Sequence, residues 1–164
     1  MLTRVAVAAA LLCICSWVAI PMIVSFTLQT FAVCAIAGLL GVPEAILSLT
    51  VYLALGAIGV PVFAGFAGGV AHLIGPTAGY LWGFFLTALC AGFARHASYW
   101  KLFFAMAAGI ILCYAAGTAW YLAFYGAGKT AGGILMTCVV PFILPDAVKA
   151  ALAALVVTRL RDRI

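Results

Sequence analysis

Charged side chains are almost absent from this chain until its C-terminal end. Eight lysines and arginines and three acidic residues make up only 7% of 164 residues, whereas soluble domains carry roughly 25%. Four of these charges lie at positions 159, 161, 162 and 163. The rest of the chain carries too few to cover a surface that faces water. The sequence therefore predicts an integral membrane protein.

Six apolar segments are candidate membrane helices, since a helix that crosses a bilayer takes about 20 apolar residues. Proline and glycine cut the charge-free runs, with Pro21 late in the first and Pro43 and Glu44 at the start of the third. The stretch after Arg4 lacks a cleavage site followed by a polar region, so it is interpreted as the first span and not as a signal peptide. We predict an all-α bundle that forms a single transmembrane domain over residues 1–164. Its helices are predicted at 4–23, 29–42, 44–59, 77–94, 101–123 and 137–158.

The distribution of lysine and arginine predicts the orientation, because positive residues stay on the cytoplasmic side. Six spans place both termini on one face. That face would carry Arg4, Arg95, Lys101, Arg159, Arg161 and Arg163, with Lys129 alone on the other. We therefore predict a multi-pass protein of the inner (plasma) membrane with both termini in the cytoplasm. The glycine- and proline-rich segment 61–76 then faces outwards.

The residue types exclude several classes of function. A nucleic-acid surface needs lysines and arginines clustered on a folded face, whereas here they lie at predicted membrane boundaries. No nucleophile stands beside a base, and neither a carboxylate pair nor a phosphate-binding loop is present in the sequence, so we expect neither an enzyme nor an ATP site. Six cysteines lie in apolar runs and are interpreted as packing residues. We expect no metal and no other cofactor.

Asp146 and Lys149 are two charges inside the last predicted span. Asp146 lies thirteen residues before Arg159, or about 20 Å from the inner boundary at 1.5 Å per residue. Each such charge costs roughly 2.5 to 3.5 kcal/mol at a helix centre, and ions in membranes usually face a partner or a cavity. Their i, i+3 spacing puts both on one helix face. They form either an ion pair that only holds the helix in place or, the interpretation we favour, a ligand site.

The segment 56–83 is rich in glycine and proline and reads GAIGVPVFAGFAGGVAHLIGPTAGYLWG. Gly79 and Gly83 have the spacing of a close helix contact. Before Pro76, non-helical backbone at membrane depth indicates a loop that is buried or lines a cavity, where glycine amides can approach a ligand. His72 taken alone is also typical of a structural histidine, and Tyr80 and Trp82 of an interfacial belt. The predicted ligand contacts here are Phe63, Gly65, Gly69, His72, Thr77 and Tyr80.

Two further pairs of residues carry predictions. Gln29 and Thr30 begin the second predicted helix and serve either as ligand contacts or as hydrogen-bonding groups between helices. Ala6 and Ala10 form a small-xxx-small pair on the first helix. Such a face suits close packing against another helix, within this bundle or on a second membrane protein.

Four strings in series resemble the BioY family of biotin-binding S-components of energy-coupling-factor transporters. They are TLQTFAV (27–33), GAIGVPVFAG (56–65), GPTAGYLWGF (75–84) and PFILPDAVKAALAAL (141–155). The resemblance covers nearly the whole chain. It implies a six-helix membrane protein that captures biotin from outside and works with a membrane T-component and two ATPase subunits. It also implies that the face of Ala6 and Ala10 meets the T-component.

The sequence departs locally from the family pattern. Ser25-Phe26 replace Pro-Ile before TLQT, Ala78 replaces the second glycine of GPTGGYL, and Leu144-Pro145 replace Pro-Gly before the aspartate. The aspartate and the lysine are kept at Asp146 and Lys149. We expect Pro145 to shift the start of the last helix and so the fine geometry of the ligand site.

The chemistry of biotin fits these residues. Its ureido ring has two N–H donors and one carbonyl acceptor, which match a desolvated Asp146 carboxylate and donors such as Lys149 or Gln29. The apolar remainder of the ligand suits Phe63 and Tyr80. Either Lys149 or a backbone N–H of the loop would meet the valerate carboxylate. The alternatives are another small vitamin on the same fold, or a structural membrane protein without a ligand. The sequence leaves open whether the protein transports alone or only with the coupling module.

Overall fold

The computed structural model describes residues 1–20, 25–128 and 130–163. Lys129, on which the predicted charge asymmetry partly rests, lies outside these residues. The helices along the described chain are α1 (Leu2–Trp17), α2 (Gln29–Leu40), α3 (Val42–Ala57), α4 (Ala71–Ile74), α5 (Ala78–Phe93), α6 (Tyr99–Tyr125), α7 (Ala131–Cys138) and α8 (Val140–Leu160). A short antiparallel ribbon of β1 (Ala19–Ile20) and β2 (Phe26–Thr27) follows α1. A 3-10 turn at Arg161–Arg163 follows α8.

The first helix is shorter than predicted. A helix that reached residue 23 would need an N–H from Pro21 to bond the carbonyl of Trp17, and proline has none. Proline also disfavours the helical conformation at the preceding residue, Ile20. Accordingly α1 ends at Trp17 and the chain enters β1. Residues 21–23 of that prediction lie outside the described residues.

The helix α2 lies at the centre of the bundle and packs against α1, α3, α5 and α8. Its Ala32 and Ala37 are fully buried, because small side chains let neighbouring helices approach. Gly41 ends the helix with a φ of +87°, a conformation that glycine adopts without strain. As a result α2 stops at Leu40, short of the predicted 42. The next helix starts at Val42, ahead of the predicted 44.

Glycines set the close contact between α5 and α6. An added Cβ at Gly83 would lie 2.9 Å from the Cα of Cys113, and one at Gly109 would lie 2.8 Å from the Cα of Thr87. The Thr87 hydroxyl also donates to the Gly109 carbonyl across this contact at 3.0 Å. An added Cβ at Gly79 would likewise clash with a side chain of α6. The packing role predicted for Gly79 and Gly83 is confirmed.

The last predicted helix, 137–158, is two helices in the structure. The glycine-rich connection forms α7, and Val139, with φ −124° and ψ −54°, breaks the chain direction before α8. Pro141 lies in the first turn of α8, where its missing N–H costs nothing. Pro145 lies inside α8, five residues after its first residue, Val140. Its missing N–H would have bonded only the carbonyl of Pro141, one of the first carbonyls of the helix.

Aromatic side chains fix the segment between α3 and α5, which includes α4. Each donates an N–H or O–H to a backbone carbonyl of that segment. The bonds run from Trp17 to Pro61 (2.9 Å), Trp82 to Leu73 (3.1 Å), Trp120 to Gly75 (3.0 Å) and Tyr125 to Ile74 (2.7 Å). Ser16 donates its hydroxyl to the Val62 carbonyl. This segment is therefore held over one end of the bundle from two sides.

The described helices differ in length relative to a bilayer. Two of them, α6 and α8, are long and apolar enough to cross a membrane by themselves, and α1, α2, α3 and α5 are shorter apolar helices. The count of six membrane passes stays a prediction. Many large apolar side chains point away from the bundle, among them Phe93, Phe104, Ile111 and Leu144.

Candidate functional site

A cavity of about 290 Å³ opens beneath the segment between α3 and α5. Small-molecule pockets occupy roughly 300 to 1,000 Å³, so its size suits a small ligand. Its wall includes predicted ligand contacts, namely Gln29, Thr30, Phe63, His72, Thr77, Tyr80, Asp146 and Lys149. The wall also includes Ser25, Thr27, Ala64, Leu81, Phe84, Cys113, Tyr114, Cys138 and Phe142.

Asp146 and Lys149 form a buried ion pair on the wall of this cavity. The Lys149 ammonium lies 2.8 Å from Asp146 Oδ1, and the two residues are 4% and 6% exposed. The ion pair that the purely structural interpretation predicts is therefore present. Both side chains also line the cavity, so the pair is compatible with a ligand site as well.

Asp146 and Lys149 have different further partners. Lys149 donates to Asp146 and, at 2.6 Å, to the carbonyl of Thr27. Its ammonium also lies 3.8 Å from the ring centroid of Phe26. An ammonium has three donors, so these contacts occupy Lys149. Tyr114 donates its hydroxyl to Asp146 Oδ2 at 2.5 Å, which fixes the carboxylate from its other side.

Gln29 is buried at the first turn of α2 and bonds in two directions. Its Nε2 donates to the Tyr52 hydroxyl at 2.7 Å, which links α2 to α3. Its Oε1 accepts from the Thr27 hydroxyl at 3.0 Å. Gln29 is therefore a hydrogen-bonding group between helices, as one of the two interpretations predicted. It also lines the cavity. Thr30, one residue on, lines the cavity while half-buried.

Aromatic rings form the apolar part of the wall. Phe63 is buried, and its ring centroid lies 5.6 Å from that of Tyr52 and 5.7 Å from that of His72. Tyr80 is buried, with its hydroxyl 3.5 Å from that of Thr118, so it is not an interfacial side chain. His72 is exposed and lines the cavity.

Gly65 and Gly69 lie in the loop but are not among the described residues that line the cavity. Their φ values are +72° and +103°, and an added Cβ at either would meet nothing within 4 Å. Their positive φ values favour glycine for the backbone conformation, and the ligand contact predicted for them stays a prediction. The bend around Gly65 pairs the Phe63 N–H with the Ala67 carbonyl at 2.9 Å. This pairing sets Phe63 into the cavity.

Sequence reasoning missed several wall residues. Tyr114 is the partner of Asp146, and its signal was a hydroxyl in the middle of the apolar helix α6. Thr27 contributes through its backbone carbonyl, which no sequence pattern marks. Phe142 lies four residues before Asp146, one helical turn away, and could have been found from that spacing. Cys113 and Cys138 also lie in the wall. All six cysteines, each among the described residues, are free thiols.

Ala6 and Ala10 lie on an exposed face of α1. The opposite face, with Val5, Ala8, Ala9 and Leu12, is buried in the bundle. The small pair therefore lies outside the contacts within the bundle, and its contact with a second membrane protein stays a prediction.

Apolar helices that surround a partly polar cavity are typical of membrane proteins that bind a small molecule between their helices. The family model described as BioY family matches residues 1–164. A biotin transporter BioY of Thermotoga maritima is 37% identical over 98% of this chain and 95% of its own length. A biotin transporter BioY2 of Lactococcus lactis is 34% identical over 94% of this chain and 86% of its own.

A solved structure is similar over the whole fold. The crystal structure of the S-component for biotin from an ECF-type ABC transporter superposes with a TM-score of 0.88 at 28% identity, covering 98% of this chain and 90% of that one. The chain belongs to the BioY family. It is an all-α membrane protein with the fold of a transporter S-component.

Proposed function

We propose that this protein takes up biotin as the membrane-embedded binding component of an energy-coupling-factor transporter. One observation carries the proposal: the buried Asp146 carboxylate is fixed in the wall of a small cavity by Lys149 and Tyr114. Relatives named biotin transporters and the biotin S-component fold support the choice of ligand. Another vitamin, or no ligand at all, has no comparable support.

The hydrogen-bonding capacity of the carboxylate matches the ureido ring of biotin. A carboxylate offers about four acceptor sites, and Lys149 and Tyr114 occupy two of them. The remaining acceptor sites suit the two ureido N–H donors as charge-assisted bonds. The Lys149 ammonium already contacts Asp146, Thr27 and Phe26. We therefore assign the amide of Gln29 as the donor to the ureido carbonyl. One Gln29 N–H already bonds Tyr52, and the other is the candidate donor.

The more exposed part of the cavity wall suits the other end of the ligand. Phe63 and Tyr80 offer apolar surface to the thiophane ring and the valerate chain. His72 and Thr77 are polar wall residues that are more exposed than Asp146. We therefore place the bicyclic ring at Asp146 and the valerate carboxylate near His72 and Thr77.

Energy for release has to come from other subunits. The family consists of transporter components, and we propose that this chain is not an enzyme and depends on a T-component with two ATPase subunits. Ala6 and Ala10 are exposed on α1, which supports that face as the T-component contact. We further propose a multi-pass arrangement in the plasma membrane, with lipid around the bundle and both termini in the cytoplasm.

A binding measurement on the purified protein tests the function. Isothermal titration against a panel of small vitamins should give binding to biotin alone. Asp146→Asn should weaken biotin binding by about 2 kcal/mol, or about 30-fold, because it leaves the Lys149 charge buried without its carboxylate partner. Glu44→Gln is the matched control, since it makes the same carboxylate-to-amide change at a residue outside the cavity wall.

Two results would overturn the proposed function. Equal affinity for biotin in the folded Asp146→Asn variant would remove the carboxylate from the site. Tight binding of a different vitamin would show that the fold has another ligand.

A further inference from the structure

A second cavity, of about 310 Å³, lies where several helices end. Its wall is polar and includes Arg4, Glu44, Arg95, His96 and Arg161. These residues come from the start of α1, the start of α3, the α5–α6 connection and the turn after α8. Since the ends of membrane helices lie at the headgroup level of the bilayer, this cavity lies at that level.

Backbone carbonyls hold two of the guanidinium groups in place. Arg95 donates to the Leu40 carbonyl at 3.0 Å and to the His96 ring at 2.8 Å. Arg161 donates to the carbonyls of Arg95 and Ala97 at 3.2 and 2.7 Å. A guanidinium has five N–H donors, and the two bonds of Arg95 leave donors for a further acceptor. Its planar fork matches a phosphate group.

The cavity wall also holds one acceptor that lacks a donor. Glu44 Oε2 is buried without a hydrogen-bond partner in the part of the chain that the structure describes. A buried polar atom left unbonded costs free energy, so an occupant with a donor is favoured. The wall therefore suits an anion that also carries a hydroxyl group.

An apolar groove of about 270 Å³ continues from this cavity along α1 and α2. The two share Arg4, Leu39 and Leu40, and Val7, Leu11 and Ile36 extend the groove away from the helix ends. From Arg4 to Leu11 the helix rises about 10 Å, roughly a third of the hydrocarbon core.

We propose that this cavity and groove bind an anionic phospholipid of the phosphatidylglycerol type. The phosphate lies among Arg4, Arg95 and Arg161, a headgroup hydroxyl donates to Glu44, and one acyl chain fills the groove beside Val7. Basic pockets between membrane helices at this level are typical headgroup sites. The inference goes beyond biotin binding, since no residue of the biotin cavity takes part.

Native mass spectrometry of the full chain tests this inference. Delipidated protein should bind about one added phosphatidylglycerol and should bind phosphatidylcholine of the same chains much more weakly. Arg95→Gln should lower the phosphatidylglycerol affinity by about tenfold, the size of one charge-assisted bond. Val7→Trp should block the groove, whereas Val148→Trp, at an exposed position on α8, should leave lipid binding unchanged. Thermal unfolding in detergent shows whether each variant is folded.

Three results would overturn the proposal. Equal binding of both lipids would remove the headgroup site. Competition by inorganic phosphate with no effect of Val7→Trp would indicate a site for free phosphate. Loss of the T-component from Arg95→Gln, with lipid binding unchanged, would show that the cavity contacts a protein.

Discussion

A single carboxylate fixes the polar end of the proposed biotin cavity. Asp146 accepts from Lys149 on one oxygen and from Tyr114 on the other, so its plane is fixed before a ligand arrives. A fixed acceptor loses little side-chain freedom on binding, which improves affinity. Tyr114 is thereby a positioning residue for the carboxylate.

Replacement of Tyr114 by Phe tests this role. The variant keeps the ring and loses the hydroxyl that bonds Asp146, so water has to solvate the free carboxylate and be removed on binding. We expect biotin affinity to fall by about tenfold, within the range for hydrogen bonds to charged groups. Titration calorimetry gives the comparison. Tyr99→Phe is the control, because this tyrosine lies in the same helix and makes only a 3.4 Å bond, to Ala151. Unchanged affinity in Tyr114→Phe would mean that the hydroxyl does not position Asp146.

At the scale of elements, α1 has two unlike faces. Val5, Ala8 and Leu12 are buried in the bundle, whereas Ala6 and Ala10 face outwards. An exposed small pair lets a foreign helix approach to backbone distance. We therefore propose that one face of this helix packs in the bundle while the other contacts a partner.

Tryptophan at both alanines should separate binding from transport. Ala6→Trp combined with Ala10→Trp blocks close approach of a partner helix, and neither residue lines the biotin cavity. We expect unchanged biotin affinity with loss of T-component co-purification and of ATP-dependent uptake. Val148→Trp with Leu152→Trp is the control, since these residues have the same spacing and are exposed on α8. Normal co-purification in the α1 variant would exclude this face as the contact.

Across the whole molecule, charge is concentrated at one end of the bundle. Arg4, Arg95 and Arg161 line one cavity there, which groups residues that are far apart in sequence. The positive-inside rule predicts that this end is cytoplasmic. The biotin cavity would then open towards the outside, as uptake requires.

Cysteine labelling tests the orientation. In a variant with its six cysteines replaced by alanine, Ala127→Cys lies in the connection after α6 and Ser98→Cys in that before it, both exposed. A membrane-impermeant maleimide added to intact cells should label position 127 and leave position 98 unlabelled until the cells are opened. The opposite pattern would reverse the orientation and exclude uptake by the proposed route.

The sequence predicted those features that have a large energetic signature. A charge in a bilayer is costly, so Asp146 and Lys149 were visible, and the apolar runs located the bodies of the longer helices. Helix ends were less visible, because Gly41 and Val139 act through backbone angles. The sequence could not separate two reasons for Gly65, because a positive φ and a close ligand contact both favour glycine. Tyr114 was missed because a tyrosine in an apolar helix is equally typical of an interface.

The aromatic bonds that hold the segment between α3 and α5 give the protein an internal fluorescent label. Of its four tryptophans, Trp17, Trp82 and Trp120 donate to carbonyls of that segment. The fourth, Trp100, lies in the first turn of α6, at the other end of the bundle. Any rearrangement that admits a ligand past this segment changes the surroundings of three indoles at once. The intrinsic emission spectrum of the unlabelled protein thus reports on the entrance of the cavity, with Trp100→Phe removing the background.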